Sequence, residues 1–225
     1  MLVLAVSTSS KVCSVALLED TNLLKELNID NLKTHSENLL PQIDELFKVT
    51  GKKISEVNLI ACDNGPGSFT GIRIGIATCK AIAEVNQIPV ISCSSLEALS
   101  YNITPVSSTL CSLIDARNNQ VYCGIFNNKH DLLENYNADD INVIINTLKK
   151  YTDISFVGDG SLLHKNLLNG KFANDNVIHA SSVGICALYK FNNGILETAD
   201  SIVPMYLRKS QAERMRDLKW QMFKF

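Results

Sequence analysis

Residues 57–83 read VNLIACDNGPGSFTGIRIGIATCKAIA, and this stretch decides the fold class. VNLIAC (57–62) is an unbroken apolar run, the pattern of a strand buried on both faces. DNGPGS (63–68) is a turn, where glycine and proline interrupt any regular element. From about Phe69 to Val85 a helix is predicted, with Ser68 or Thr70 placed to satisfy the free amides at its start. Toward the N-terminus, LVLAVS (2–7) and VCSVALL (12–18) flank Thr8–Lys11, a hairpin signature. A third strand is expected at 23–29 and a helix at 36–50. In that helix Ser36 is the candidate N-cap, Leu39, Leu40, Ile43, Leu46 and Phe47 recur at helical spacing, and Gly51 is the stop. Toward the C-terminus a strand at Pro89–Ser92 and a short helix capped by Ser94 or Ser95 follow. Hairpin, helix, strand, helix, strand describes an α/β layer with a mixed sheet.

The composition turns polar over 101–108, and the pattern then restarts. TLCSLI (109–114) and VYCGIF (121–126) flank DARNNQ as a second hairpin. A helical segment is expected at 138–150, a strand at 154–157, a Gly158-Asp159-Gly160 turn, and a helix at 181–191. Two hairpin-led units in one order suggest a duplicated fold, on element order rather than letter-level similarity. The expected division is 1–103, 104–206, and a closing helix and tail over 207–225.

The chain has 225 residues, 46% of them apolar and 20% charged, with a formal net charge of −2. That supports one large core or two small ones and offers no bulk electrostatic case for nucleic acid. The start of the chain reads as two strands and a turn, not as a signal peptide. No run of about 18 apolar residues suggests a membrane span. The seven cysteines lack CxxC or zinc spacing, so they read as reduced, buried thiols of a cytoplasmic protein. His35, His130, His164 and His179 are far apart in sequence, and none pairs with another at metal spacing. The net-basic stretch RKSQAERMRDLK (208–219) reads as a solvated helix face or as a contact for RNA phosphates or a partner.

The helix of the opening stretch allows three readings. Gly71, Gly75, Cys79 and Ala83 recur every four residues and form a small-residue stripe. Such a stripe lets another backbone approach closely, either the chain's own sheet or a second protein. The third reading is anion binding by Gly65, Gly67 and Ser68 at the helix N-terminus. No GK[ST] follows, so this is not a Walker loop. HExxH and Gly-x-Ser-x-Gly are also missing, which argues against peptidase chemistry.

DNGPGSFTGIRIG (63–75), the following Cys/Ala-rich helix, IDARNNQVY (114–122) and PMYLRKSQAE (204–213) together resemble the TsaB family, also called YeaZ. The similarity runs over essentially the whole chain. It implies two tandem actin-like (ribonuclease-H-like, ASKHA) subdomains, each a mixed sheet with flanking helices. It implies no catalytic residues, no metal and no cofactor of its own. It further implies a cytoplasmic scaffold or activating subunit that binds the enzyme TsaD, with TsaE and its ATP joining, and a homodimer when alone. The process is formation of N6-threonylcarbamoyladenosine at position 37 of tRNAs reading codons that start with A, with tRNA met through the complex. Family contacts involve the first-subdomain helices, here about 35–50 and 69–85. That favours docking and gives interface candidates Leu39, Leu40, Ile43, Phe47, Phe69, Gly71, Ile72, Gly75, Ile76 and Cys79.

The resemblance also implies what has been lost. TsaD-like sequences carry His-x-x-x-His after the Pro-containing strand, and the counterpart here is Ser95-Leu96-Glu97-Ala98-Leu99. Two histidines four apart on a helix grip one metal, which Ser95 and Leu99 do not replace. Actin-like hairpins usually carry an acidic residue that organises Mg²⁺ and water; here Ser7 stands in its place. The rival is an actin-like-fold ATPase or carbamoyltransferase acting on its own through Asp115, Asp159 and the glycine loop. A direct RNA-binding module is a further alternative.

Overall fold

The computed structural model describes residues 1–31, 33–103 and 107–208. The first unit contains β1 (Leu2–Ser7), β2 (Cys13–Glu19), β3 (Asn22–Ile29), α1 (His35–Thr50), β4 (Leu59–Asp63), α2 (Phe69–Asn86), β5 (Val90–Cys93) and α3 (Ser95–Ser100). The second contains β6 (Thr109–Asp115), β7 (Gln120–Asn127), β8 (Asn137–Asp140), α4 (Ile141–Leu148), β9 (Ile154–Val157), α5 (Asp159–Leu163), β10 (Lys171–Phe172) and α6 (Ala180–Asn192).

Each unit builds one five-stranded mixed sheet, ordered β3-β2-β1-β4-β5 and β10-β9-β6-β7-β8. In each, the leading hairpin is antiparallel and the later strands join parallel to its first strand. The two sheets thus repeat one topology, the duplication expected from element order, and match the actin-like, ribonuclease-H-like arrangement that the family resemblance implies.

Burial explains the strand sequences. Every residue of β1 is buried, because helices cover both faces of its sheet. Leu2, Leu4 and Val6 point to the α1/α2 side, where Leu39, Ile43, Leu46, Ile72, Ile76 and Cys79 meet them. Val3 and Ala5 point the other way, into a core shared with α3, α6 and the inner face of the second sheet. β3, at the edge, is mostly exposed and carries Lys25 and Glu26, charges that discourage further strand pairing. A third cluster packs α4 on the outer face of the second sheet.

Several boundaries differ from the sequence reading. Thr34, not Ser36, precedes α1 as N-cap, and the Glu37 carboxylate accepts from its amide at 2.8 Å and its hydroxyl at 2.7 Å. Gly51 closes α1 at φ 66°. The expected helix at 138–150 is split, because Asn137–Asp140 pairs antiparallel with β7. The letters NADD carry little strand propensity, so only the neighbouring strand makes this one. Asp140 then caps α4 by accepting from the Asn142 amide at 2.9 Å. The Gly158-Asp159-Gly160 turn continues directly into α5. The closing helix expected over 207–219 falls, beyond Arg208, outside the described residues, as does most of the 207–225 tail and basic stretch.

The two units interlock. α6 comes from the second half of the sequence but packs across β1, β2, β4 and β5 of the first sheet. The second sheet starts at Thr109, while α6 packs on the first sheet. Before α6, His179 sits between Asp175, 2.7 Å from Nε2, and Glu26 of β3, 3.2 Å from Nδ1. The Glu26 contact is off hydrogen-bond alignment and is an ion pair, while the other Glu26 oxygen accepts the Ser181 amide at 2.7 Å.

Contact with Glu26 raises the His179 pKa, outweighing burial. Burial pushes Glu26 up, but contact with His179 and the Ser181 hydrogen bond hold it below the ordinary carboxylate range. The histidine contribution is therefore fully present below its unfolded pKa of about 6.5 and is lost as pH rises through its raised value. The glutamate contribution is present above about 4.3 and is lost as pH falls through its lowered value. Thermal midpoints measured against pH should fall more between about pH 6 and 8 in the wild type than in His179→Gln; identical slopes would contradict this assignment.

Candidate functional site

The sequence features singled out above converge where the β1–β2 turn, the glycine loop and the start of α3 meet. At their centre is Asp63, the last residue of β4, 1% exposed. Its Oδ2 accepts from Ser7 Oγ at 2.7 Å and from Ser9 Oγ. Its Oδ1 accepts from Ser95 Oγ at 2.6 Å and from the Gly65 amide at 2.9 Å. The Ser9 and Ser95 oxygens lie 3.0 Å apart. Burial pushes the Asp63 carboxyl above its usual range, against the pull of Ser9, Ser95, Ser7 and Gly65. The first hairpin does lack a carboxylate at position 7, as expected. The neighbouring strand supplies one at the same place, and the chain's own donors surround it.

The glycine loop is occupied in the same way. The Ser68 amide donates to Ser9 O at 2.7 Å, and the Ser95 amide donates to Gly65 O at 2.7 Å. Ser68 caps α2 by accepting from the Gly71 amide at 3.2 Å. A Cβ on Gly67 would lie 2.2 Å from Ser9 O, so the loop presses on the hairpin turn. Of the three residues in the anion reading, Gly65 and Ser68 have their amides committed within the chain.

The small-residue stripe faces inward, against the chain's own hairpin. A Cβ on Gly71 would lie 1.9 Å from Thr8 O, and one on Gly75 2.4 Å from Thr8 Oγ1. Thr8 Oγ1 also donates to Gly71 O at 2.7 Å. Cys79 is fully buried, with Ile72 at 1% and Ile76 at 5% exposure. On α1, Leu39 and Ile43 are likewise buried against the sheet. The close approach that the glycines permit is to the chain's own hairpin. Of the ten interface candidates, Leu40 is well exposed, while Phe47 and Phe69 are partly so.

The segment carrying PMYLR runs back over this junction. Asn64 O accepts the Met205 amide at 2.8 Å. Tyr206 stacks on Phe69 with centroids 4.7 Å apart, and its hydroxyl accepts from Arg73 Nε at 2.7 Å. Arg208 Nη1 donates to Ala116 O in the second hairpin turn at 2.7 Å. This strap links the two units across the glycine loop. Neither the strap nor the Asp63 cluster emerged from the sequence reading. The available signal was a polar residue ending an apolar run on two strands, Ser7 and Asp63.

The residues of the rival enzyme reading hold turns. Asp159 Oδ1 accepts the Asp115 amide at 3.0 Å, and Asp115 Oδ1 accepts the Arg117 amide at 2.8 Å. That shapes a turn in which Arg117, Asn118 and Asn119 all have positive φ. The histidines are dispersed: His35 Nε2 meets Ser10 O at 2.9 Å, and His130 stacks on Tyr101 at 4.0 Å. Among the described residues, no group of three or more His, Cys, Asp or Glu is placed to hold a metal ion. All seven cysteines are free and buried. Burial pushes the Cys13 thiol to about 11, and contact with Cys79 and burial raise Cys62. Such thiols are poor nucleophiles.

Three comparisons place this arrangement among known proteins. The family model described as TsaD: tRNA N6-adenosine threonylcarbamoyltransferase matches residues 30–215. The tRNA threonylcarbamoyladenosine biosynthesis protein TsaB of Bacillus subtilis is 30% identical over 95% of this chain and 96% of its own length. YeaZ from Pseudomonas aeruginosa superposes with a TM-score of 0.78 at 25% identity, covering 92% of this chain and 99% of that one. A second Pseudomonas aeruginosa structure, described as similar to peptidase YeaZ, gives 0.79 at 25% identity over the same shares.

The glycine contacts make a prediction of sign. On an exposed helix face, Gly71→Ala stabilises by about 1 kcal/mol through propensity. Packed on Thr8, the same change costs roughly 1–3 kcal/mol or more. Urea unfolding should show Gly71→Ala and Gly75→Leu both destabilised; a stabilised Gly71→Ala would return the stripe to the surface.

Proposed function

The chain belongs to the TsaB family of tRNA threonylcarbamoyladenosine biosynthesis proteins, and on that footing we propose that it is a non-catalytic subunit that docks and activates the threonylcarbamoyltransferase TsaD. TsaE, with ATP, joins the assembly, and tRNA meets this chain only through it. The product is N6-threonylcarbamoyladenosine at position 37 of tRNAs reading codons that start with A. Without the enzyme the chain pairs with a second copy of itself through the same helices.

One observation carries the non-catalytic part. At the counterpart of the histidine pair, the Ser95 hydroxyl is bound to Asp63 and Leu99 is 1% exposed in the shared core. Neither side chain faces a space where a metal and a carbamoyl donor would meet, so the chemistry belongs to the partner. No helix among the described residues is long and apolar enough to cross a membrane.

The docking face is the outer side of α1 with the start of α2. Leu40, 59% exposed, and Phe47 share one side of α1, seven residues apart. Phe69, backed by Tyr206 and Arg73, extends the face at the start of α2. An exposed leucine and two partly covered aromatic rings on these helices suit the centre of an interface, where aromatic anchors dominate. The buried candidates Leu39, Ile43, Gly71, Ile72, Gly75, Ile76 and Cys79 serve it from beneath by fixing the helices on the sheet.

Leu40→Glu and Phe47→Glu should lower capture of co-expressed TsaD by about tenfold or more, a loss of ~1.4 kcal/mol. Circular dichroism should stay near the wild type for both, and the thermal midpoint should hold for Leu40→Glu, while Phe47→Glu, whose ring also packs on the first core, should lower it. Undiminished capture by folded double variants would place the interface elsewhere.

A further inference from the structure

The ends of β1 and β4 bring two side chains together that the sequence keeps 56 residues apart. The parallel register runs from Val3↔Leu59 to Val6↔Cys62, so residue 7 is next in line with residue 63. Neighbours in register point to the same face, and Ser7 Oγ meets Asp63 Oδ2 at 2.7 Å. Both are sealed, at 0% and 1% exposure. Among the described residues, the hydrogen-bond partners of the carboxyl are three serine hydroxyls and one backbone amide, with no cationic side chain.

These facts set how many carboxyls the junction takes. With none, Ser95 can still donate to Ser9 Oγ at 3.0 Å, but the Ser9 hydroxyl and the Gly65 amide lose the acceptor they share, which is costly. With two, like charges are buried side by side, and one must take up a proton. The junction therefore takes one carboxyl, and positions 7 and 63 both reach its centre. Neighbouring strands are about 4.8 Å apart, a gap that the Asp–Ser pair spans and that the Ser–Asp pair spans equally.

We propose that positions 7 and 63 are interchangeable carriers of a single buried carboxyl. Whichever position bears it is the positioning residue that ties the glycine loop and the first turn of α2 to the hairpin. The link runs through Gly65, whose amide the carboxyl holds, and through Ser9, whose carbonyl receives the Ser68 amide at 2.7 Å. This role concerns the chain's own loop and holds whichever partner docks on α2.

A double-mutant cycle on the full chain tests it, with thermal unfolding and site-resolved hydrogen exchange as readouts. Ser7→Asp and Asp63→Ser should each lower the midpoint by roughly 5–10 °C. Each should also speed exchange of the Gly65 and Ser68 amides by about tenfold relative to amides of β7, a local opening beyond the global loss. The transposed double variant should recover more than half of both effects. A double variant no better than its worse parent overturns the proposal, as does a Ser7→Asp protein as stable as wild type. If a single variant yields no folded protein, a folded double variant still supports the proposal and an unfolded one contradicts it.

Discussion

One buried carboxyl organises the head of the first sheet. Asp63 receives hydrogen bonds from the hairpin turn through Ser7 and Ser9, from the glycine loop through Gly65, and from the start of α3 through Ser95. A carboxyl in so dry a place persists only because its oxygens are supplied with donors. Three segments distant in sequence are thereby held to one point. α2 then lies close enough to the hairpin for Gly71 and Gly75 to touch Thr8, and the strap reaches from Asn64 and Phe69 to the second hairpin turn at Ala116.

That arrangement bears on chemistry. In a fold built to hold nucleotide between two units, the hairpin and loop groups would be turned toward the ligand. Here the amides of Gly65 and Ser68 and the hydroxyls of Ser7, Ser9 and Ser95 are turned on one another and on Asp63. Asp115 and Asp159, which the rival reading would enlist, shape the second turn. The same residue types that build a reacting centre build a rigid support when they satisfy each other.

Much of the fold was legible in the residues. The apolar runs at 2–7, 57–62, 109–114 and 154–157 announced the buried strands because a strand covered on both faces has no polar side to show. The repeat of hairpin, helix and strand announced two units with one topology. NADD at 137–140 was illegible as a strand because its pairing with β7, not its composition, makes it one. The stripe at Gly71, Gly75 and Cys79 was legible as a close approach but not as to what approaches, since small residues serve a neighbouring hairpin as well as a partner. The Asp63 cluster depends on the register of β1 against β4, a long-range relation that no local spacing encodes. The exchange of Ser for Asp at position 7 looked like a simple loss until its neighbour across the sheet was in view.

The chain's own groups close this junction, and we propose that they leave the chemistry to a partner. Calorimetric titration of Mg-ATP into the purified chain, with phosphate release followed in the same samples, tests that claim most directly. A closed junction gives no saturable binding tighter than roughly 1 mM and no release above the buffer rate. Saturable binding near 1 μM, about 4 kcal/mol stronger, with turnover by the chain alone, would contradict it.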